Sequence, residues 1–158
     1  MAKTNLERMI KLADEFFAMK NDPSQISMTP ETMERLRNLH PNTLTEKRNK
    51  DGPIAWIALI PTTRNLMKQF LSGKINEREL FDLTPQRGKY DALYLCSALV
   101  LPEHRGKGLA WRLACKAIAS IRKQHPIKYL FLWAFSEEGK KLAASIAEEF
   151  DLPLYQRQ

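Results

Sequence analysis

The spacing of apolar side chains divides the first half of the chain into two helices followed by a strand. Residues 5–20 place apolar side chains at steps of three and four, which is typical of an amphipathic helix. A second helix is predicted between Pro30 and Pro41. Residues 42–52 are polar and predict a loop. The continuous apolar run at residues 53–60 then predicts a buried strand.

Strands and helices alternate in the second half. Residues 64–83 predict two helical pieces that are broken at Ser72-Gly73. The later predicted elements are strands at residues 92–101, 129–135 and 152–156 and helices at residues 109–124 and 136–149. Strands that are separated by helices predict a βαβ crossover and a sheet covered by helices.

The composition indicates one soluble domain. At 158 residues the chain is close to a prior of roughly 150 residues per domain, so residues 1–158 are predicted to form a single domain. No apolar run approaches the about 18 residues of a membrane helix. Cys96 and Cys115 cannot form a secreted disulfide framework, and their spacing from the three histidines predicts no metal site. A cytoplasmic location is expected, because charged residues interrupt the N-terminus where a signal peptide needs an apolar core.

The charge balance is basic, with 25 Lys and Arg against 18 Asp and Glu, or +7. This excess permits an anionic partner, whether nucleic acid, an acidic protein or a phosphorylated small molecule. It does not choose among them, and a basic surface that contacts only solvent explains the charge equally well.

The clearest chemistry lies in a glycine loop within residues 100–110, between a predicted strand and a predicted helix. The first turn of a helix has backbone N–H groups without intrahelical partners, and the helix dipole favours negative charge there. Gly106 and Gly108 let the backbone approach a ligand closely, and Arg105 and Lys107 add positive charge. The loop therefore predicts a pyrophosphate site.

Two common phosphate-binding motifs do not fit this loop. It lacks the P-loop pattern G-x-x-x-x-G-K-[ST]. The dinucleotide pattern G-x-G-x-x-G fails because Trp111 occupies the third glycine position. The loop instead resembles the acetyl-coenzyme A signature of the GNAT acetyltransferase superfamily, Q/R-x-x-G-x-G/A, which Arg105, Gly108 and Ala110 match.

The resemblance implies a fold. It is good over residues 91–150, partial over residues 3–60 and poor over residues 63–88. It implies an α/β fold of the α+β type, with a mixed, mostly antiparallel central sheet flanked by helices. Residues 63–88 are then expected to be a helical insertion between two strands of that sheet.

The resemblance also implies a co-substrate, acetyl-coenzyme A, and the residues that bind it. These residues are Ala98, Leu99, Val100, Arg105, Gly106, Lys107, Gly108, Leu109, Ala110 and Ser136. The glycine loop would hold the pyrophosphate, and the strand before it would pair with the pantetheine arm. A bulge in that strand would open a slot and place the acetyl thioester near Leu99. A neutral amine would attack it there, so the enzyme would act mainly by positioning and oxyanion stabilisation.

The proton donor is not assigned. Many members of the superfamily carry an Asn after the fifth-strand region and, seven residues later, a Tyr that protonates the leaving thiolate. Here Ser136 or Glu138 takes the Asn position, so Ala143 or Ser145 takes the Tyr position. Water or Tyr155 would then supply the proton.

The general base is also unassigned. Glu103 and His104 adjoin the loop, but at the end of a strand they are expected to face solvent. Cys96 lies within a strand and is expected to be a small apolar filler. Trp111 follows the loop directly and is either a core residue or a contact of the ligand.

Three functions are compatible with these residues. The first is an N-acetyltransferase that moves acetyl from acetyl-coenzyme A to a primary amine. The second is a coenzyme A-binding regulator without activity, which the missing Tyr favours. The third is a basic nucleic-acid-binding module that stacks bases on Tyr129 and Phe131, although the apolar run around these residues disfavours it. The acceptor and the oligomeric state stay open, a homodimer included.

Overall fold

The structure is a computed structural model that describes residues 4–20, 29–133 and 136–157. Six α-helices and five strands occur within these residues. The helices are α1 Asn5–Lys20, α2 Pro30–Leu39, α3 Arg64–Leu71, α4 Glu77–Leu83, α5 Leu109–Arg122 and α6 Glu137–Phe150. The strands are β1 Leu44–Asn49, β2 Gly52–Thr62, β3 Ala92–Val100, β4 Tyr129–Leu132 and β5 Leu154–Gln156. A single 3₁₀ turn, Pro102–His104, follows β3.

The five strands form one mixed sheet in the order β1-β2-β3-β4-β5. β1, β2 and β3 pair antiparallel, whereas β3, β4 and β5 pair parallel. The antiparallel pairs are the long ones. The two parallel connections run through α5 and α6, as a parallel neighbour requires a crossover. The mixed sheet, its flanking helices and the βαβ order confirm the predicted fold.

Helices cover both faces of the sheet. On one face α1 packs on β2 and β3, where Met9, Ile54 and Leu99 are buried together. Side chains alternate between faces along a strand, so Ile57 and Leu59 of β2 point to the opposite face. The larger core cluster, which holds Ile57 and Leu59, includes buried side chains of α5 and α6. The sheet thus separates α1 from the α5–α6 pair.

One sequence prediction is wrong. Residues 42–52 do not form a loop throughout, because Leu44–Asn49 pairs with β2 as β1. β1 is an edge strand whose last four side chains are exposed. Charged side chains are common on such edges because they discourage further strand pairing. The backbone pairing with β2 therefore forms this strand without an apolar pattern in its own sequence.

The other predicted elements are found, with shifted ends. β4 stops at Leu132, and Trp133 lies outside it. The predicted strand extended to residue 135, but residues 134 and 135 lie outside the described residues. The insertion forms two helices, α3 and α4, as predicted. Between them Gly73 adopts a φ of 85°, a conformation that glycine tolerates and that ends α3.

Candidate active site

The sheet opens into a fork between β3 and β4. Their parallel pairing ends at Tyr94 and Phe131, although β3 continues to Val100. In the same region the register between β2 and β3 shifts, since Ala58 pairs with Ser97 and Leu59 pairs with Leu95. Cys96 is therefore the extra residue of a β-bulge, which bends a strand and ends its regular pairing. The structure has the predicted bulge and the predicted gap.

A cleft of about 630 Å³ passes through this fork. Its walls come from both faces of the sheet. Leu12, Glu15 and Phe16 of α1 line it on one face, and helices α5 and α6 line it on the other. The cleft residues of these two helices are Ala110, Ala114, Glu138, Gly139, Leu142, Ala143 and Ile146. A long, narrow ligand could therefore enter from one face and present its end to the other.

The backbone of β3 directs polar groups into the cleft. Leu101 N–H donates to the Ile54 carbonyl of β2 at 2.9 Å. Hydrogen-bonding groups alternate between the two edges of a strand, so Val100 and Ala98 direct theirs to the fork. The Val100 carbonyl accepts a hydrogen bond from Arg105 Nε at 3.0 Å, which agrees with that direction. Leu99 differs from the prediction, because its backbone pairs with Trp56 of β2, although the residue also lines the cleft.

The glycine loop adopts the conformation that its glycines permit. Gly106 has a φ of 79° and Gly108 a φ of 74°, both in the left-handed region. A Cβ added to Gly106 would meet no atom within 4 Å, so the loop leaves space above its backbone. Gly108 is the N-cap of α5 and has no side chain with which to bond its first turn.

Helix α5 differs in this respect from the other α-helices of the described chain. Each of the others has a side-chain oxygen that accepts a hydrogen bond from a first-turn N–H group. The residues that supply these caps are Thr4, Thr29, Thr63, Asn76 and Ser136. The first turn of α5 has no such cap, so its N–H groups are left for solvent or for an anion.

Seven of the ten predicted cofactor-binding residues line the cleft. They are Ala98, Leu99, Val100, Arg105, Gly106, Ala110 and Ser136. Lys107, Gly108 and Leu109 lie beside it without lining it. Leu109 packs its side chain on the cluster under α1, and Lys107 is exposed. For these three residues only backbone groups or a long side chain could reach a ligand in the cleft.

No candidate proton donor that the sequence suggested, among the described residues, lies in the cleft with a proton to give. Ser136 and Ala143 both line the cleft, whereas Ser145 does not, so the register that puts Ala143 in the Tyr position fits the structure. Ala143 has no proton to donate. Tyr155 is 42% exposed, contacts Tyr129 and does not line the cleft.

Glu103 makes a structural contact with Arg8. Both oxygens of its carboxylate accept hydrogen bonds from Arg8 of α1 at 2.6 Å. The hydrogen bonds from Arg8 lower the pKa of Glu103 to about 2, which makes it a weak base. The pair holds α1 against the 3₁₀ turn that precedes the glycine loop. His104 is half-buried and does not line the cleft.

Sequence reasoning missed several cleft residues. Glu15 and Phe16 come from α1, and Trp133 follows β4. In the sequence α1 shows only an amphipathic stripe, and Trp133 sits in an apolar run. Nothing in either local pattern separates a cleft wall from ordinary packing. Cys96 is buried, as expected of an apolar filler, but it also lines the cleft at the bulge.

The sequence matches the model of the acetyltransferase (GNAT) family over residues 8–144. The chain belongs to the GNAT acetyltransferase family. Members of this family typically use acetyl-coenzyme A as co-substrate. No curated protein is a significant match to the sequence.

A solved acetyltransferase structure resembles this GNAT chain in fold. Naa20 from Chaetomium thermophilum, in complex with a bisubstrate analogue, superposes with a TM-score of 0.52 at 16% identity. The match covers 90% of this chain and 65% of that one. A ribosomal-protein-alanine N-acetyltransferase from Brucella melitensis biovar Abortus 2308 gives a TM-score of 0.42 at 18% identity, over 64% of this chain and 59% of that one. The chain therefore spans less than two thirds of each neighbour.

The GNAT co-substrate fits what the chain offers. The space above the Gly106 backbone is open, and the first turn of α5 has no side-chain cap. The backbone groups of Val100 in β3 face the fork. Over the described residues, no helix is long and apolar enough to cross a membrane. Within the same residues, no group of three or more His, Cys, Asp and Glu side chains is arranged to hold a metal ion.

Proposed function

We propose that the chain is an N-acetyltransferase that transfers the acetyl group of acetyl-coenzyme A to a primary amine. One observation carries the proposal. The cleft through the β3–β4 fork runs from the uncapped first turn of α5 to α1 on the opposite face of the sheet. A co-substrate could thus be bound from one side and an acceptor from the other.

The pyrophosphate would lie at the first turn of α5. The backbone N–H groups from Gly106 to Ala110 would donate to its oxygens, and the helix dipole would favour its charge. Lys107 is exposed and free to turn toward the anion. Arg105 uses Nε on the Val100 carbonyl, which leaves its terminal nitrogens for a phosphate oxygen.

The pantetheine arm would pair with the free edge of β3. Ala98 and Val100 direct backbone groups there, and β4 does not occupy that edge beyond Tyr94. Peptide-like groups of the arm could therefore bond as an added strand would. This places the thioester close to Ala98 and Leu99, where a backbone N–H group could stabilise the charge that develops on its oxygen.

Transfer would occur by direct attack of a neutral amine on the thioester carbon. The new C–N bond forms as the C–S bond breaks, the amine loses one proton, and the thiolate takes one up. Ala143 replaces the tyrosine that many relatives use, so we expect water to bring the proton to the thiolate. The chain's own contribution is then mainly to align the two reactants.

A coenzyme A-binding regulator is the second candidate, and Ala143 is the observation that favours it. The nucleic-acid module is less well supported. Phe131 is fully buried, so it cannot stack on a base, and Tyr129 is half-buried against Tyr155.

Calorimetric titration of the purified chain with acetyl-coenzyme A, with ATP and NAD as controls, tests the proposal. We expect saturable binding of acetyl-coenzyme A alone, followed by amine-dependent release of free thiol in a panel of primary amines. Binding without any amine-dependent release would favour the regulator. A folded chain that binds no acetyl-coenzyme A, but binds nucleic acid with an affinity that falls steeply with salt, would overturn both.

A further inference from the structure

Trp133 lies where the fork closes. It directly follows β4, whose pairing with β3 ends one residue before Leu132. Trp133 lines the cleft together with Leu95 and Cys96, which stand at the bulge of β3. This group forms the closed end of the cleft between the strands, whereas Val100 and Gly106 lie toward the open end.

The distance along β3 suits an acyl group at this end. From Ala98 back to Cys96 the strand covers about 7 Å, at 3.3 Å per residue. Only this short distance separates a thioester at Ala98 from the closed end. With the thioester near Ala98 and Leu99, the tail of its acyl group points along the strand toward Cys96 and Trp133.

Two side chains that do not line the cleft contact the indole of Trp133. The Arg157 guanidinium lies over it at 4.8 Å from the ring centroid. Phe70 of α3 meets it edge-on, with centroids 6.3 Å apart and planes at 78°. Phe70 is fully buried, so it cannot move aside without disturbing the core.

Arg157 is itself fixed at several points. Its backbone N–H donates to the Leu132 carbonyl at 2.9 Å, which extends the pairing of β5 with β4. Its Nη1 donates to the Ile75 carbonyl at 3.2 Å, and its guanidinium lies 4.5 Å from the centroid of Phe70. The position of the indole is therefore set by groups from β4, α3 and the segment before α4.

We propose that Trp133, held in place by Arg157 and Phe70, forms a rigid stop at the closed end of the cleft and restricts the co-substrate to short acyl chains. The inference rests on the proposed function, since it assumes that an acyl-coenzyme A occupies the cleft. Trp133 is the specificity-determining residue, and Arg157 is a positioning residue that acts through it. A rigid wall rejects a longer chain because the extra methylenes have no space without displacing the packed ring.

The test is a set of titrations with coenzyme A, acetyl-, butanoyl- and hexanoyl-coenzyme A. For the unmodified chain we expect hexanoyl-coenzyme A to bind at least about tenfold more weakly than acetyl-coenzyme A. In Trp133→Ala the ratio of these two dissociation constants should fall to within about twofold, because removal of the ring opens space for the tail. The dissociation constant of coenzyme A without an acyl group should stay unchanged.

Two further variants separate specificity from folding. Arg157→Lys keeps a positive charge but loses the planar group over the indole, and it should relax the ratio in part. Trp56→Ala removes a tryptophan that lies outside the cleft and should leave the ratio as it was. If Trp133→Ala does not fold, Trp133→Phe gives the same test with a smaller change.

The outcomes are distinguishable. If the unmodified chain binds no acyl-coenzyme A at all, the proposed function fails. If it binds acetyl-coenzyme A but the chain-length ratio is the same in the Trp133 variants, the proposed function stands and the stop is wrong. Equal binding of all chain lengths by the unmodified chain would also overturn the stop.

Discussion

Glycine performs two separate tasks in the loop before α5. Gly106 and Gly108 both adopt left-handed backbone conformations, which a residue with a Cβ adopts only at the expense of about 1–2 kcal/mol. Gly108 also occupies the N-cap position, where a serine or threonine would bond the first turn of the helix to itself. The absence of both a Cβ and a capping group keeps that first turn accessible to an anion.

Gly108→Trp should abolish binding of acetyl-coenzyme A, because the indole would cover the first turn of α5. The added Cβ would already lie 3.4 Å from Arg112 Nη1. The left-handed φ should also lower the free energy of unfolding by about 1–2 kcal/mol. Titration calorimetry and denaturant unfolding measure the two effects.

Gly73→Trp is the matched control for this substitution. Gly73 has a φ of 85° and open space around a Cβ, and it does not line the cleft. The same loss of stability with unchanged binding is expected there. If both variants bind acetyl-coenzyme A like the unmodified chain, the assignment of the loop is wrong.

The inserted helices α3 and α4 are tied to the sheet by a buried polar contact. Glu77, in the first turn of α4, is fully buried, and its Oε2 accepts a hydrogen bond from Tyr94 of β3 at 2.5 Å. Burial and the negative charge of Glu77 raise the pKa of Tyr94 well above its usual value, so the hydroxyl stays a donor. Tyr94 lies one residue before Leu95, so this contact joins the insertion to the closed end of the cleft.

Tyr94→Phe should lower the free energy of unfolding by about 1.5–3 kcal/mol, because it removes a hydrogen bond to a buried charged group. Tyr90→Phe is the matched control. The Tyr90 hydroxyl donates to the neutral Pro85 carbonyl, so its loss should lower that free energy by about 0.5–1.5 kcal/mol. Denaturant unfolding of both variants gives the comparison, and equal losses would contradict the special role of Glu77.

Two buried histidines make the stability of the whole molecule depend on pH. His40 caps the C-terminal end of α2, and His125 follows α5, with their ring centroids 6.1 Å apart. Within the described chain, His40 Nε2 and His125 Nδ1 are buried without a hydrogen-bond partner. Burial lowers the pKa of both residues, and for His125 the neighbouring His40 and Lys89 lower it further.

The chain should therefore lose stability as the pH falls below the ordinary histidine pKa of about 6.5. Both pKa values are lower in the folded state, so the folded chain binds fewer protons than the unfolded chain. The contribution of the two histidines to stability is then complete above about pH 6.5. It is lost as the pH falls from there through the two lowered pKa values. Urea midpoints between pH 8 and pH 5 measure this effect.

The double substitution His40→Gln and His125→Gln should reduce that pH dependence. His104→Gln serves as the control, because His104 is not part of the contact between His40 and His125. This substitution should leave the pH dependence unchanged. A dependence that persists in the double variant would assign it to other groups.

Local sequence was sufficient for most elements of the fold and for the glycine loop. The helices have their own periodicity and caps, such as Thr29 and Ser136, and the loop has its own glycines. These signals lie within a few residues of one another, so they can be interpreted without knowledge of the rest of the chain. Strand β1 could not be found in this way, because its polar residues carry no apolar pattern and become a strand by pairing with the backbone of β2.

The cleft itself required the tertiary structure. The family resemblance led to the expectation of a bulge, but its position at Cys96 follows from the register between β2 and β3. Glu15 and Trp133 line the same cleft although more than a hundred residues separate them in sequence. No periodicity predicts this shared position, because it depends on strand register and on how helices pack across the sheet. The local pattern thus predicted the glycine loop before α5, and only the packing of distant elements decided which side chains form the walls beside it.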